Sequence, residues 1–358
     1  MASSAVTPGA ARATVRDAKG AAAAHARPAV HVLAALASLL LVAAWCGVAF
    51  GSAPLPLGEV LAAMVGAPAP ALVRDIVWNL RLPRVVIAGA VGTGLAVAGC
   101  VLQGVFRNPM ADPGVLGVSA GAGLGAVIAI YAGLGVRSLW SLPGIAFAGA
   151  LLTAATVYGL ATRAGRTPVL TLLLAGIAVG SLLTSAIGLV MILAHEVQIQ
   201  TMLLWLMGGF DGETWQQVAV AVPVILAGSA ASLLFARELN ILATGEESAR
   251  GVGVPVEWTK RALLALCALV TAAGVSVSGT IGFVGLLVPH MLRLIVGPDH
   301  RGLLPASAVG GAAFLILADL GARLVIRPAE ISVGVITSFL GVPFFLYLLR
   351  RQRGGMGL

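Results

Sequence analysis

Long apolar stretches alternate with short polar ones along most of the chain. A helix needs about 20 residues to cross the hydrocarbon core of a bilayer, and most of these stretches reach that length. The pattern therefore predicts an all-helical, multi-pass membrane protein with about ten spans. They lie at residues 30–50, 85–106, 114–134, 139–161, 168–194, 216–236, 262–278, 283–296, 302–326 and 332–349. The eighth is too short for an ordinary span, so we expect a short or broken helix buried among the others.

One part of the chain is much more polar than the rest. Residues 237–261, the polar segment, hold eight of the 36 charged residues, which are 22 Lys and Arg plus 14 Asp and Glu. The eight are Arg237, Glu238, Glu246, Glu247, Arg250, Glu257, Lys260 and Arg261. Such a concentration of charge belongs in water or against another protein rather than in lipid. We interpret the polar segment as the part through which a soluble partner moves the membrane domain.

Composition supports a membrane protein and gives its orientation. Hydrophobic residues make up 59% of the chain, charged residues 10%, and 46 residues are glycine, which favours close packing of helices in lipid. The net charge of +8 indicates basic cytoplasmic loops rather than a nucleic-acid partner. With the first residues inside, 16 of the 22 Lys and Arg fall on the cytoplasmic side and 6 outside. The positive-inside rule then predicts that both termini and the polar segment are cytoplasmic.

The domain organisation follows from the same pattern. Residues 1–29 are Ala-rich and polar and are expected to form a disordered cytoplasmic tail, and residues 30–353 a single transmembrane domain. Spans two to five and seven to ten are offset by five, so the two groups cross the membrane in opposite directions. Each begins with a long Gly- and Ala-rich span followed by a break, which we assign to Pro109 and Pro289. After the first break, Asp112 with Pro113 predicts an N-cap followed by Pro at the first helical position. This arrangement indicates an inverted repeat, a common transporter plan.

The sequence lacks the motifs of an enzyme. Its only lysines are Lys19 and Lys260, and neither ends a Gly-x-x-x-x-Gly-Lys-Ser/Thr loop, so ATP would have to be bound by another subunit. The three cysteines lie in apolar stretches without metal-ligand spacing, and we expect no cofactor and no metal site. Asp319 is the one carboxylate well inside a span, with Arg323 four residues on, which suggests a helix-face ion pair. An ion-coupled secondary transporter, the alternative class, would need more embedded carboxylates.

Several ordered motifs cover the chain from about Ala53 to Arg350. They are Leu80-Arg-Leu-Pro-Arg84, Leu102-Gln-Gly104, Arg107-Asn-Pro-Met-Ala-Asp-Pro-Gly-Val-Leu-Gly117, the stretch from Gly245 to Val254, Gly282-Phe-Val-Gly-Leu-Leu-Val-Pro-His290, Gly334-Val-Ile-Thr337 and Gly341-Val-Pro-Phe344. In these motifs the chain resembles the FecCD-type permeases of bacterial ABC importers, which have a BtuC-like fold. Those importers carry ferric siderophores, haem or cobalamin across the cytoplasmic membrane.

The resemblance implies partners and contact residues. It implies a dimer of ten-span permeases, either two copies or paralogues, with two cytoplasmic ATPases and one extracytoplasmic binding protein. The family's ATPase contact, a set of short helices, falls here on Glu238, Gly245, Glu246, Ala249, Gly251, Val252 and Gly253, and the alternative is a solvated loop. Its contact with the binding protein falls on Arg81, Arg84 and Arg323. The alternatives for these arginines are lipid headgroup binding or an internal pair, such as Arg323 with Asp319.

The resemblance also implies a pathway lined by the fifth and tenth spans. The fifth carries Gly176, Gly180, Thr184 and Gly188 on one helix face, and the tenth carries Thr337, Ser338 and Gly341. Small residues would leave room for a bulky chelate, although they suit plain helix packing too. We expect a ferric siderophore as cargo, with cobalamin or haem as alternatives, since Met207-Gly-Gly-Phe210 and its neighbours resemble cobalamin permeases. His290 is interpreted as structural rather than as an iron ligand.

Overall fold

The computed structural model describes residues 30–134 and 138–355. The tail expected at residues 1–29 lies outside the described residues. Within the described parts the chain forms fourteen α-helices and no strand. In chain order they are α1 Val30–Ala49, α2 Leu57–Met64, α3 Ala71–Val105, α4 Val118–Tyr131, α5 Ser141–Ala161, α6 Val169–Leu193, α7 Glu196–Met207, α8 Trp215–Leu233, α9 Ala236–Ala243, α10 Glu246–Gly251, α11 Val256–Ser278, α12 Val284–Val296, α13 His300–Leu324 and α14 Val333–Gly355.

The helices account for the apolar stretches of the sequence. Seven of those described are long and apolar enough to cross a membrane, namely α1, α3, α5, α6, α8, α11 and α13. Three shorter apolar helices, α4, α12 and the first part of α14, occupy the remaining stretches. The all-helical fold is therefore confirmed. The short eighth stretch is confirmed as α12, a 13-residue helix with eight buried residues.

The second span begins earlier than the sequence predicts. We expected a polar excursion up to Arg84, because this region contains prolines and charges. The structure instead continues α3 back to Ala71, through a π-helical turn at Ile76–Arg81. Pro83 lies two residues after the end of that turn and has no N–H to give to the preceding turn. The wider π-turn is a common way for a helix to absorb such an interruption.

Helix α3 is the centre of the fold. In its most apolar stretch 83% of the residues are buried, against 11% for α6. It packs against α8, α11, α12 and α13. The contact with α13 is closest where Gly92 faces Gly311, because a Cβ on either residue would collide with the carbonyl oxygen of the other. Two backbones touch directly at this point, as small residues allow between membrane helices.

Both halves of the fold contain a break after a long helix. In the first half α3 ends at Val105, and Pro113–Leu116 forms a 3₁₀ turn before the short α4. The side chain of Asp112 accepts from the N–H of Gly114 at 2.8 Å, so the expected N-cap at Asp112 is confirmed. In the second half the break falls between α11 and α12. The two breaks meet, since a Cβ on Gly285 would lie 2.7 Å from the Pro113 ring.

The assignment of the second break to Pro289 was wrong. Pro289 lies inside α12, and the break, between Ser278 and Val284, precedes this proline by several residues. A proline within a helix leaves the carbonyl four residues earlier without its usual donor, here the carbonyl of Gly285. The side-chain amide of Gln103 donates to this carbonyl at 3.2 Å and to that of Leu286 at 3.2 Å. Because α3 supplies the missing hydrogen bond, α12 continues through Pro289.

Candidate functional site

A carboxylate cluster lies at the end of the helix bundle opposite the polar segment. Arg84 forms ion pairs with Asp211 at 2.7 Å, Asp319 at 2.8 Å and Glu330 at 2.8 Å. Arg323 pairs with Asp319 at 3.0 Å. These five residues, which we call the carboxylate cluster, join α3 and α13 to the loop before α8 and the loop before α14. The forked guanidinium of Arg84 is suited to hold several carboxylates at once.

Arg81, which lies beside the carboxylate cluster, and Arg323, which belongs to it, stabilise the end of α1. Arg81 donates to the carbonyls of Val48 at 2.8 Å, Ala49 at 2.9 Å and Ala53 at 2.6 Å. Arg323 donates to the carbonyls of Gly47 and Phe50, each at 3.1 Å. The last carbonyls of a helix have no partner within the helix, so these bonds cap α1 with positive charge.

The three arginines predicted to meet a binding protein are therefore occupied within the chain. Arg81 is 5% exposed and Arg323 2%, and the side chain of Arg84 is 11% exposed. Their donors face internal carbonyls and carboxylates, and the alternative of an Arg323–Asp319 pair is confirmed. In this structure their guanidinium groups bond to groups within the chain and support this surface from inside, rather than being presented to a partner. The exposed charges beside them are Asp211 and Arg327.

A buried acid lies next to the carboxylate cluster. Glu213 is 5% exposed, and its Oε2 has no hydrogen-bond partner among the described residues. Burial raises the pKa of Glu213 to about 8, although Arg84 opposes the shift. The side chain borders a cavity of about 270 Å³ that Arg84, Phe210 and Glu330 also line. The sequence places Glu213 in an outer loop, and nothing in the sequence indicated that its side chain would be buried.

Glu213→Gln is expected to remove part of the pH dependence of stability. The glutamate ionises near pH 4.5 in the unfolded chain and near pH 8 in the fold. Between these values the fold binds more protons, so the free energy of unfolding falls as pH rises. The melting temperature in detergent should fall across this window for the native protein and for an exposed control, Glu196→Gln. Equal slopes in native protein and Glu213→Gln would contradict a neutral buried acid.

The polar segment folds into α9 and α10, so the short helices implied by the resemblance are confirmed. Gly245 begins α10 with a φ of 124°, a backbone conformation that favours glycine. The tip that follows α10 is exposed at Gly251, Val252 and Gly253, and the side chain of Val252 is 69% exposed. These three residues form an exposed apolar tip directly after the charged α10.

Ala249 does not lie where a docking residue should. It is fully buried and packs with Leu242 and Val256, which attaches α10 to α11. A contact surface for a partner needs exposed atoms, so the structure gives Ala249 a packing role instead. Glu238 is half-buried, with its Oε2 unpartnered among the described residues. Glu246 points inward and pairs with Arg250 and Lys260.

A groove runs along α6 beside the break in the first half. Its volume is about 570 Å³, and Asp112, Gly114, Gly176, Gly180 and Thr184 contribute to its walls. Three of the four residues predicted on this face are open: no atom would meet a Cβ at Gly180 or Gly188, and Thr184 is exposed. Gly176 differs, because a Cβ there would collide with the carbonyl of Val115. It serves close packing at the floor of the groove.

A second cavity of about 440 Å³ lies beside α14, where Asp112, Ser119, Thr280 and Ser338 line it. Ser338 therefore lies where the sequence predicted. The other two predicted residues of α14 do not, because Thr337 is fully buried and a Cβ on Gly341 would collide with the ring of Phe283.

Asp112 borders both hollows and was missed as a pathway residue. The sequence marked it only as a helix cap.

His290 packs edge-on against Phe344, with ring centres 6.4 Å apart. Among the described residues, no three His, Cys, Asp or Glu side chains group together in a way that could hold a metal ion.

Comparison with known proteins identifies the family. The FecCD transport family matches residues 39–351. The chain belongs to the FecCD transport family. Over 281 residues it is 52% identical to the cobalamin import system permease protein BtuC of Halobacterium salinarum, covering 78% of this chain and 75% of that protein. Over 293 residues it is 45% identical to the hemin transport system permease protein HmuU of Yersinia pestis, covering 78% and 86%.

The fold of this FecCD permease agrees with a solved structure. That structure, reported as an inward-facing metal-chelate type ABC transporter, matches with a TM-score of 0.80 at 30% identity. The match covers 90% of this chain and 99% of that one. The protein is thus a multi-pass permease of an ABC importer, which works with an ATPase and a paired permease.

Proposed function

We propose that this FecCD permease imports a tetrapyrrole metal complex, either a corrinoid such as cobalamin or haem. The observation that carries the proposal is the 52% and 45% identity, each over 78% of the chain, to permeases named for cobalamin and hemin import. The sequence alone favoured a ferric siderophore, but no described residue distinguishes a siderophore from the tetrapyrroles. We therefore keep the siderophore as an outcome of the test.

The walls of the two hollows suit a large cargo that keeps its own metal. The groove along α6 is lined by glycines, a threonine, a serine, a valine and an isoleucine, with Asp112 as its one charged residue. On the α14 side Ser119, Thr280 and Ser338 add hydroxyl groups among aliphatic side chains, a methionine and a phenylalanine. A chelate that already satisfies its metal needs room and weak polar contacts, which lets it enter and leave. Such walls do not need a protein ligand for iron or cobalt.

The test is uptake by a reconstituted importer. Permease, ATPase and binding protein are placed in proteoliposomes, and ATP-dependent uptake of cyanocobalamin, hemin and ferrichrome is measured separately. Uptake of one tetrapyrrole well above ferrichrome supports the proposal. Ferrichrome uptake without uptake of either tetrapyrrole would return the cargo to the siderophore class. An ATPase variant unable to hydrolyse ATP controls for leakage.

We also propose how the partners are arranged. ATP binds to the partner ATPase, which contacts the polar segment at the tip formed by Gly251, Val252 and Gly253. An extracytoplasmic binding protein docks on the opposite end, over the carboxylate cluster, where exposed Asp211 and Arg327 offer charges of both signs. A second copy of the chain pairs through α6 and α14, since both expose long apolar faces.

The orientation is open to a direct labelling experiment with two matched positions. Val65 and Val252 are 71% and 69% exposed and lie at opposite ends of the bundle. With both termini in the cytoplasm, Val65→Cys should react with a membrane-impermeant maleimide in intact cells, and Val252→Cys should react only after lysis. The charge distribution of 16 against 6 is the basis for this expectation. The reverse pattern of labelling would overturn the orientation.

A further inference from the structure

Lys260 is a buried lysine in a chain that has only two lysines. It lies near the start of α11 and is 3% exposed. A lysine is almost never buried so completely unless its charge is paired. Its ammonium donates to the backbone carbonyl of Thr167 at 2.9 Å and forms ion pairs with Glu246 at 3.1 Å and Glu257 at 3.0 Å. All three protons of the ammonium therefore have an acceptor.

The three partners of Lys260 belong to different parts of the chain. Glu246 is the first residue of α10, in the polar segment. Glu257 is in the first turn of α11. Thr167 lies in the short turn between α5 and α6, two residues before α6 begins. The ammonium thus joins the polar segment, α11 and the inner end of α6 at a single point.

The second acid that pairs with Lys260, Glu257, also bonds to Thr167. The carboxylate of Glu257 accepts from the N–H of Thr167 at 3.1 Å, so both backbone groups of Thr167 are held. Arg250 in α10 contacts Glu246 at 3.0 Å and Glu257 at 3.4 Å. Among the bonds of the described residues, none joins α10 directly to Thr167. The polar connection from α10 to the start of α6 therefore runs through Lys260 and Glu257.

We propose that Lys260 is a positioning residue that transmits movement of α10 to α6. The proposal rests on the proposed function, in which the polar segment meets the ATPase and α6 forms a wall of the pathway. If α10 moved away alone, the buried ammonium would lose Glu246 and keep Glu257, and one of its protons would have no acceptor, which is unfavourable. The junction therefore moves as a unit, and a shift of α10 must displace Thr167. Thr167 and Pro168 are followed at once by the helix that carries Gly176, Gly180 and Thr184.

The test separates this link from assembly and from docking. Lys260→Met keeps the length of the apolar stem and removes the charge. In the complete importer, uptake per ATP hydrolysed should fall about tenfold, within the usual range of coupling between two sites, while the ATPase still copurifies. Lys260→Arg keeps the charge and should retain most of the coupling. Arg261→Met is the matched control, because Arg261 is exposed and contacts Tyr158 rather than α10.

A spectroscopic measurement shows where the link fails. Spin labels are placed at Glu247, which is exposed on α10 outside the proposed ATPase contact, or at Arg166, beside Thr167, each paired with a reference label at Val65. Both distances should change on adding a non-hydrolysable ATP analogue to the native complex. In Lys260→Met the Glu247 distance should still respond, and the Arg166 distance should not. A loss of stability alone would not produce this split.

Each remaining outcome decides between the two proposals. Native uptake per ATP in Lys260→Met, with a responding Arg166 label, would overturn the relay. A Glu247 label that does not respond to the ATPase in native protein would instead reject the polar segment as the ATPase contact. If Lys260→Met does not fold, Glu246→Gln removes the same ion pair from a residue that is 29% exposed. A fully native Arg166 response in that variant would also overturn the relay.

Discussion

Val252→Asp should abolish most of the ATPase stimulation in the assembled importer while leaving the membrane domain folded. Val252 is an exposed apolar side chain between two exposed glycines, the shape of a residue that inserts into a partner's pocket. Burying an unpaired carboxylate there would cost at least about 2 kcal/mol, the scale of an interface hot spot, or roughly a thirtyfold loss of affinity. The measurements are copurification of the ATPase and its stimulated hydrolysis rate.

The matched control for this prediction is Val65→Asp, which is equally exposed at the opposite end of the bundle. It should leave the ATPase contact unchanged. Native affinity and native stimulation in Val252→Asp would show that the tip is solvated and that the ATPase binds elsewhere. Ala249→Trp is a poor test of docking, because this buried residue attaches α10 to α11 and a tryptophan there would displace the whole segment.

Arg84→Leu should be the most destabilising of these substitutions. Arg84 is the shared cation of three carboxylates, and the side chain of Asp319 among them is 1% exposed. Removing one partner from a buried ion pair costs about 3–5 kcal/mol. Without Arg84, Glu330 has no cation among the described residues and Asp319 keeps only Arg323. The yield of monodisperse protein and its melting temperature in detergent should both fall sharply.

Two companion variants make the cause of that loss visible. Arg84→Lys keeps one positive charge without the planar fork and should fall between the native protein and Arg84→Leu. Glu330→Gln added to Arg84→Leu removes a partly buried carboxylate that has lost its ion-pair partner and should restore part of the stability. A melting temperature for Arg84→Leu equal to that of the native protein would show that the carboxylate cluster does not hold the loops to α3 and α13.

Local sequence patterns were enough to predict the helices but not the distant residues that complete their hydrogen bonds. The length of each apolar stretch indicated a helix, and the charge of the polar segment kept it out of the bundle, because both depend on neighbouring residues. The role of Pro289 depended on Gln103, whose amide reaches a carbonyl 182 residues away in the sequence. No pattern near Pro289 contains that donor.

The sequence predicted which residues belong to the candidate site better than it predicted what those residues contact. Sequence motifs singled out Arg81, Arg84 and Arg323, but their partners are the end of α1 and three scattered carboxylates, which only the folded chain brings together. Ala249 and Gly251 are two residues apart in the same motif, yet one is buried and the other exposed. Glu213 carried no signal, since burial of a loop acid is set by the helices around it.

The direct contact of Gly92 with Gly311 limits which helices can move during transport. Two backbones in contact have no side chains that could change rotamer and let one helix slide along the other. Helices α3 and α13 therefore behave as one rigid unit. The opening and closing of the pathway has to come from elements outside that unit. Helix α6, with its largely exposed surface and its direct connection to Thr167, is free to tilt against it.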